Sequence, residues 1–286
     1  MTRPRRLRIA VTQTPSSSDV PANLECMLSI FQAAASSGAE LVVFPENALF
    51  AGSQGAMHER AFTLESPEII ALQAAAARLE TPLILGGVKL RSGGEVFNRA
   101  LVFDAEGHLP GWYDKVHAFA AHVAGESYDA GAFEQPGDRP VIIEVNGVRL
   151  GLTICFDLRF PELYRALALA GADVLLVPSA FTRATGRVHW ETLLRARAIE
   201  NGAYVLASAT IGDPDLADAD SRATYGHALA VDPWGAVLSD LGETPSGWET
   251  VVVDPEAVTI ARQRMPCLER RREAVYAQPV QSITLA

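Results

Sequence analysis

The sequence predicts an α/β fold, in which apolar strands alternate with helices over much of the chain. Short runs rich in β-branched residues recur, several of them end at a polar residue, and amphipathic segments follow. Such alternation is typical of βαβ units with adjacent strands and short connections. The chain has 286 residues, of which 49% are hydrophobic and 20% charged, as in an ordinary globular protein.

The charge and the cysteine content argue against several classes of protein. The chain has 34 acidic and 24 basic residues and a net charge of −10, which argues against nucleic-acid or anionic-membrane partners. Cys26, Cys155 and Cys267 are too few and too scattered for a disulfide framework or a zinc site. They suit a reducing cytosol. A basic N-terminus precedes only a strand-length apolar run, so we expect neither a signal peptide nor a membrane span.

The first half of the chain begins as a βαβ pattern and becomes rich in strands. Residues 7–13 are predicted as a strand, 23–36 as a helix that Gly38 ends, and 40–44 as a second strand. The following predicted elements are helix 66–79, strands 82–89 and 96–104 around a Gly-Gly turn, an irregular stretch over 118–140, and strand 141–145. An irregular stretch of that length is often functional.

The second half returns to alternation and ends in a tail. Its predicted elements are strand 148–154, a helix from 161 to about 170, strand 172–177, a loop over 182–186, helix 188–200, strands 204–210, 225–231, 237–241 and 248–253, and helix 255–263. The acidic segment 213–221 is predicted as a mobile loop. We expect one domain over residues 1–286, with the tail 263–286 at an interface.

Cys155 ends a buried strand where the chain turns toward a helix. Ligands of open α/β sheets bind at this edge, and a helix N-terminus stabilises a thiolate. The alternative is a small core residue, since free cysteines are often buried. Glu46 follows Val42–Phe44 and Pro45 in the same kind of place, although it could also be a helix cap or a solvated charge. Lys115 follows an aromatic strand, where a lysine is usually solvated.

Together these three residues form a chemically complete set for attack on an amide or nitrile carbon. A thiol nucleophile needs a base, and a carboxylate with a raised pKa can serve at neutral pH. A lysine ammonium can stabilise the oxyanion of a tetrahedral intermediate. Spacing alone does not show that Glu46, Lys115 and Cys155 converge.

Six segments, in order along nearly the whole chain, resemble the nitrilase superfamily of carbon–nitrogen hydrolases. They are VVFPEN, YDKVH, TICFDLRFPEL, PSAFTRATGRVHWETLLRARAIEN, YGHALAVDPWG and RQRMPCLERRR. The resemblance implies a four-layer α-β-β-α sandwich and a Glu–Lys–Cys triad, with Glu46 as general base, Lys115 as oxyanion stabiliser and Cys155 as nucleophile. It also implies that Glu126 is a second active-site carboxylate, although the loop around it varies in length within the family.

The segments look most like the Nit amidase branch, which includes ω-amidases and deaminated-glutathione amidases. Nitrilases proper usually carry Trp-Glu after the cysteine, whereas this chain has Phe156-Asp157, so amide hydrolysis is favoured over nitrile hydrolysis. Arg159 matches the position where related carbamoylases hold a substrate carboxylate, and its alternative is a structural ion pair. Ala120 stands where many relatives have an acidic residue, which leaves the acyl group open.

The resemblance sets the remaining expectations. The substrate is a small carboxylate-bearing amide, the backbone N–H of Phe156 helps to hold the oxyanion, and no metal or organic cofactor is required. The protein is expected in the cytoplasm as a homodimer or larger homo-oligomer. Three alternatives remain: a nitrilase, an N-carbamoyl amino acid hydrolase with the same triad, and a catalytically silent binding protein.

Overall fold

The computed structural model describes residues 6–15, 17–123, 126–212 and 223–284, and of 121–123 and 126–128 the backbone only. The strands are β1 (Leu7–Pro15), β2 (Leu41–Phe44), β3 (Leu83–Ser92), β4 (Glu95–Phe103), β5 (Gly111–Asp114), β6 (Ala120–Val123), β7 (Glu126–Asp129), β8 (Val141–Val145), β9 (Val148–Leu152), β10 (Val174–Leu176), β11 (Tyr204–Ala207), β12 (Ala209–Gly212), β13 (Thr224–Tyr225), β14 (Leu229–Val231), β15 (Val237–Asp240) and β16 (Gly247–Val253). The helices are α1 (Val20–Ser36), α2 (Gln54–Glu59), α3 (Pro67–Leu79), α4 (Pro161–Leu169), α5 (Arg183–Asn201), α6 (Pro255–Arg264) and α7 (Glu273–Tyr276).

Two mixed sheets form the centre of the molecule. The first has the order β13-β12-β1-β2-β3-β4-β5, with β16 also antiparallel to β1, and the second has the order β15-β14-β11-β10-β9-β8. Strands β6 and β7 pair separately as a hairpin. The chain passes from the second sheet to the first between β11 and β12, at Ser208, whose hydroxyl donates to the Val43 carbonyl and accepts from the Thr12 N–H.

Alternation along the strands of the first sheet separates two hydrophobic cores. Ala10 and Val42 face the outer core, where α1 and α3 pack with Phe31 and Leu72. The neighbouring residues of β1 and β2 face the other way and pack in the core that contains the second sheet, α4 and α5. Because side chains of a strand alternate between faces, each central strand can cover both cores. The four layers are therefore helix, sheet, sheet and helix, as the sequence resemblance implied.

Most predicted elements are present, and two regions differ. The stretch predicted as irregular over 118–140 contains the hairpin β6–β7, and α5 begins at Arg183 within the predicted loop 182–186. Helix α5 starts there because the Arg183 backbone is held by the Ala223 carbonyl and Gly186 packs closely on Tyr225. The predicted mobile loop 213–221 lies outside the described residues. The expectation of a single domain over 1–286 stays a prediction.

Candidate active site

The ends of three strands carry the candidate catalytic residues to one place between the sheets. Glu46 follows β2 and Lys115 follows β5 in the first sheet, whereas Cys155 follows β9 in the second. Their exposed fractions are 4%, 4% and 7% respectively. All three line one cavity of about 230 Å³, together with Phe156 and Arg159. The convergence that spacing could not show is therefore present in the structure.

The Glu46 carboxylate is held by hydrogen bonds on both oxygens. Its Oε1 accepts from the Lys115 Nζ and from the Asn98 Nδ2, each at 2.8 Å, and its Oε2 accepts from the Ala180 N–H at 3.0 Å. Gly87 leaves room for it, since a Cβ on that residue, whose φ is +74°, would lie 2.8 Å from the Glu46 Cγ. The carboxylate is thus fixed in position before any substrate arrives.

Electrostatics keep Glu46 and Lys115 ionised. Burial alone would raise the pKa of Glu46, but the Lys115 and Lys89 ammonium groups and the hydrogen bonds from Lys115 and Asn98 lower it to about 2. Burial would lower the pKa of Lys115, yet the Glu46 carboxylate raises it above its ordinary value. The general expectation of a base with a raised pKa is therefore wrong for the free protein, because Glu46 has a cationic partner in direct contact.

The Cys155 side chain is a protonated thiol in the free protein. Burial and the Glu46 carboxylate raise the pKa of Cys155 well above its ordinary value, and the nearby Lys115 offsets this only in part. This corrects the expectation that a helix N-terminus would stabilise the thiolate: the residue opens a short 3₁₀ turn, Cys155–Arg159, at a buried position. The thiol hydrogen-bonds to Glu46, which gives its proton a direct acceptor.

The backbone at Cys155 adopts a conformation that non-glycine residues seldom use. Its φ is +47°, in the left-handed region, and its N–H donates to the Pro178 carbonyl at 3.0 Å. Such a conformation costs on the order of 1–3 kcal/mol and persists where surrounding contacts enforce it. It places the side chain at the sharp turn between β9 and the 3₁₀ segment, where the cavity begins.

Arg159 lies on the cavity wall with aromatic neighbours. Its guanidinium carbon is 5.8 Å from the ring centroid of Phe156 and 5.1 Å from that of Phe181, and its Nη1 lies 3.3 Å from the Nδ1 of His189. Among the described residues, these contacts include no carboxylate, which argues against the alternative of a structural ion pair.

Two residues that the sequence analysis did not select, Lys89 and Glu134, form a second buried ion pair in the cavity wall. Both are more than nine-tenths buried, and their charges act on the first pair, Lys89 on Glu46 and Glu134 on Lys115. The backbone of Glu126 begins β7, but its side chain lies outside the described part of the chain.

One cluster of potential metal ligands occurs among the described residues. Asp104, Glu106 and His108 have ligand atoms within 4.8 Å of one another. They lie on the turn before β5 and do not line the cavity, and Asp104 already caps that turn by accepting the N–H groups of Glu106 and His108.

The chain is a hydrolase that acts on carbon–nitrogen bonds other than peptide bonds, as its family and its amidase-named relatives show. The chain belongs to the carbon-nitrogen hydrolase family, whose model matches residues 8–263.

Named relatives and a solved structure agree with this assignment. The chain is 39% identical to a deaminated glutathione amidase of Synechocystis over 268 residues, which is 92% of this chain and 97% of that protein. It is 32% identical to an omega-amidase of Homo sapiens over 94% of this chain and 96% of that one. The Caenorhabditis elegans NitFhit structure, 32% identical, superposes with a TM-score of 0.86 over 95% of this chain, which spans 66% of that longer protein.

Proposed function

We propose that this protein hydrolyses the C–N bond of a small carboxylate-bearing amide to an acid and ammonia through a thioester on Cys155. The observation that carries the proposal is the buried contact between Cys155, Glu46 and Lys115 at a cavity that also holds an arginine without a carboxylate partner among the described residues. The relatives named as deaminated glutathione amidase and omega-amidase support the class of substrate.

The proposed reaction begins with attack of the Cys155 sulfur on the amide carbon. Glu46 accepts the Cys155 proton as the sulfur attacks the amide carbon, and Lys115 with the Phe156 N–H stabilises the oxyanion. Because the free thiol has a raised pKa and Glu46 a lowered one, proton transfer occurs together with attack. Protonated Glu46 makes a weaker partner for Lys115, whose ammonium is then available to the developing negative charge.

The thioester forms and breaks with the same base. Glu46 returns its proton to the departing nitrogen, the C–N bond breaks, and ammonia leaves the acyl group on Cys155. Glu46 then takes a proton from water, the hydroxide adds to the thioester carbon, and the acid departs as Cys155 regains its proton. No step in this sequence uses a metal or an organic cofactor.

A panel of four compounds tests the proposal by ammonia release. It contains α-ketoglutaramate, deaminated glutathione, an N-carbamoyl amino acid and a simple nitrile. Turnover of either of the first two supports the proposed substrate class. Turnover confined to the nitrile, or to the N-carbamoyl compound with release of carbon dioxide, would replace it with one of the alternative activities. No ammonia release from any of the four compounds would rule out the proposed substrate class.

Arg159 is proposed to bind the substrate carboxylate. The Arg159→Met variant should raise KM for a carboxylate-bearing amide about 10- to 100-fold, because a charge-assisted hydrogen-bonded pair is lost. It should leave KM for a neutral amide of similar length nearly unchanged. Arg195→Met, at an exposed position of α5 outside the cavity, is the matched control. An equal effect on both amides would remove Arg159 from carboxylate recognition.

The second active-site carboxylate has two candidates. Glu126 is proposed from the family resemblance, whereas Glu134 is favoured by its burial, its place in the cavity wall and its contact with Lys89. We expect Glu134→Gln to lower kcat/KM about 10- to 100-fold, since the variant leaves Lys89 as an uncompensated buried charge beside Glu46. Glu126→Gln should then stay within a few-fold of wild type, and the reverse ranking would assign the role to Glu126.

Location in the cytoplasm and assembly into a homo-oligomer are proposed from the cysteines and the exposed surface. Among the described residues no helix is both long and apolar enough to cross a bilayer, and the three cysteines carry free thiols, as is usual in a reducing cytoplasm. Exposed apolar side chains on the tail, including Tyr276 and Val280, support its burial against another copy in a homodimer or larger homo-oligomer.

A further inference from the structure

A buried carboxylate that does not line the cavity lies two residues beyond Cys155. Asp157 has no exposed surface and accepts four hydrogen bonds. Its Oδ2 accepts from the Tyr113 hydroxyl at 2.7 Å and from the Ile154 N–H at 2.9 Å. Its Oδ1 accepts from the backbone N–H of His117 at 3.1 Å and lies 2.8 Å from the Nδ1 of the same residue.

The partners of Asp157 come from the two segments that carry Cys155 and Lys115. Ile154 immediately precedes Cys155, whereas Tyr113 and His117 lie two residues before and two residues after Lys115. One carboxylate therefore links the strand end of the first sheet to the turn of the second sheet. Its two oxygens hold the segments before and after Lys115, through Tyr113 and His117, and the residue before Cys155, Ile154.

The linking segments are held rigidly. Tyr113 is fully buried, and its hydroxyl oxygen accepts from the Val116 N–H while its hydrogen goes to Asp157. Burial and the neighbouring Asp157 raise the pKa of Tyr113, so it stays a donor throughout the pH range of the enzyme. The His117 ring stacks on Phe160 with centroids 3.6 Å apart and planes within 5°. Four hydrogen-bond contacts satisfy the buried carboxylate of Asp157.

We propose that Asp157 is a positioning residue, which acts through Tyr113, His117 and Ile154 to set the spacing between the Cys155 sulfur and the Lys115 ammonium. The inference rests on the proposed function for its catalytic consequence. The strained φ of Cys155 supports it, because a left-handed residue needs its neighbours fixed, and the Ile154 N–H is fixed by the same oxygen that holds Tyr113. Asp157, Tyr113 and His117 do not line the cavity, so they do not touch the substrate.

The test compares two buried tyrosines that differ in what they hold. Tyr113→Phe removes the hydroxyl that bonds Asp157. Tyr164→Phe, the control, removes an equally buried hydroxyl that pairs with Thr153 at 2.8 Å, two residues before Cys155, without reaching the Lys115 segment. Each variant is measured for thermal stability, for kcat and KM on the amide turned over by wild type, and for the rate of Cys155 alkylation by iodoacetamide.

Tyr113→Phe should lower kcat about 10- to 100-fold with KM within about threefold of wild type, since small displacements of reacting groups have effects of this size. Alkylation of Cys155 should also slow, because Lys115 would no longer be held at the distance that favours the thiolate. Tyr164→Phe should lose similar stability but keep kcat and the alkylation rate within about threefold. Equal effects of the two variants on kcat and alkylation at equal loss of stability would overturn the proposal.

A second variant covers the case in which Tyr113→Phe does not fold. His117 is about a quarter exposed, so His117→Ala removes one Asp157 partner at lower cost to the core, and it should show the same fall in kcat and alkylation rate. If wild type turns over no amide, the proposed function fails, and the alkylation rates still decide the positioning role. Unchanged alkylation in both Tyr113→Phe and His117→Ala would then reject it.

Discussion

Cys155→Ala should lose amide turnover by at least three orders of magnitude, roughly the loss seen when a covalent nucleophile is removed. In the proposed mechanism the thiol forms the covalent intermediate, and the variant retains the cavity, both buried ion pairs and Arg159. Binding should therefore survive while catalysis does not. Ammonia release measures the loss, and substrate protection against thermal unfolding measures the retained binding.

The other cysteines supply the control. Cys267 is exposed and Cys26 is partly buried within α1, and neither lines the cavity. Cys267→Ala should keep turnover within a few-fold of wild type. Intact-protein mass spectrometry after rapid acid quenching should show an acyl adduct in wild type and in Cys267→Ala but not in Cys155→Ala. Near-normal turnover by Cys155→Ala would end the thioester mechanism.

Glu46→Gln should lower kcat on the order of a thousandfold, and it should also destabilise the fold. The side-chain amide introduced by Glu46→Gln cannot accept the thiol proton. In either orientation its NH₂ group faces a hydrogen-bond donor, since both oxygens of the carboxylate accept hydrogen bonds, from Lys115, Asn98 and Ala180. Lys115 is left as an unpaired buried charge, which costs about 3–5 kcal/mol. Denaturant unfolding and steady-state kinetics measure the two effects separately.

The stability effect of Glu46 should depend on pH in a defined direction. The pKa of this carboxyl falls from an ordinary 4.5 to about 2 in the folded protein, so its stabilisation is fully present above pH 4.5. That contribution is lost as the pH falls from 4.5 toward 2. The difference in free energy of unfolding between wild type and Glu46→Gln should therefore be largest at neutral pH and shrink over that interval. A difference between wild type and Glu46→Gln that stays constant over that interval would contradict the ion-pair account.

Sequence reasoning selects the three residues of the proposed triad because each follows a strand, and strand ends can be read from apolar runs. The segments before Glu46 and Cys155 are continuous and β-branched, and their polar successors are therefore conspicuous. The spacing of these residues along the sequence does not predict which sheet each strand joins. Glu46 and Lys115 belong to one sheet and Cys155 to the other, and that pairing depends on contacts distant in sequence, such as those between β1 and β16.

Lys89 was missed for a specific physical reason. A lysine between Val88 and Leu90 in a strand is expected to face solvent by alternation, but both faces of β3 are buried. Val88 and Leu90 pack in the outer core, whereas Lys89 lines the cavity. Glu134 lies beyond a short turn after β7, where no periodic pattern gives the direction of a side chain. A lysine inside an otherwise apolar strand is the one signal that could have found the pair.

The division of the proposed triad between two sheets affects the reactivity of Cys155 before the chain has folded. Cys155, the proposed nucleophile, meets Glu46 and Lys115 only after the sheets have packed face to face, with Ser208 bridging them. Long-range pairings of this kind form late, because the chain loses the entropy of closing a long loop before it gains the contacts that stabilise the pairing. A chain emerging from the ribosome, or one partly unfolded by heat, therefore carries an ordinary cysteine rather than an assembled catalyst, and maturation of the fold itself restrains the chemistry until the protein is complete.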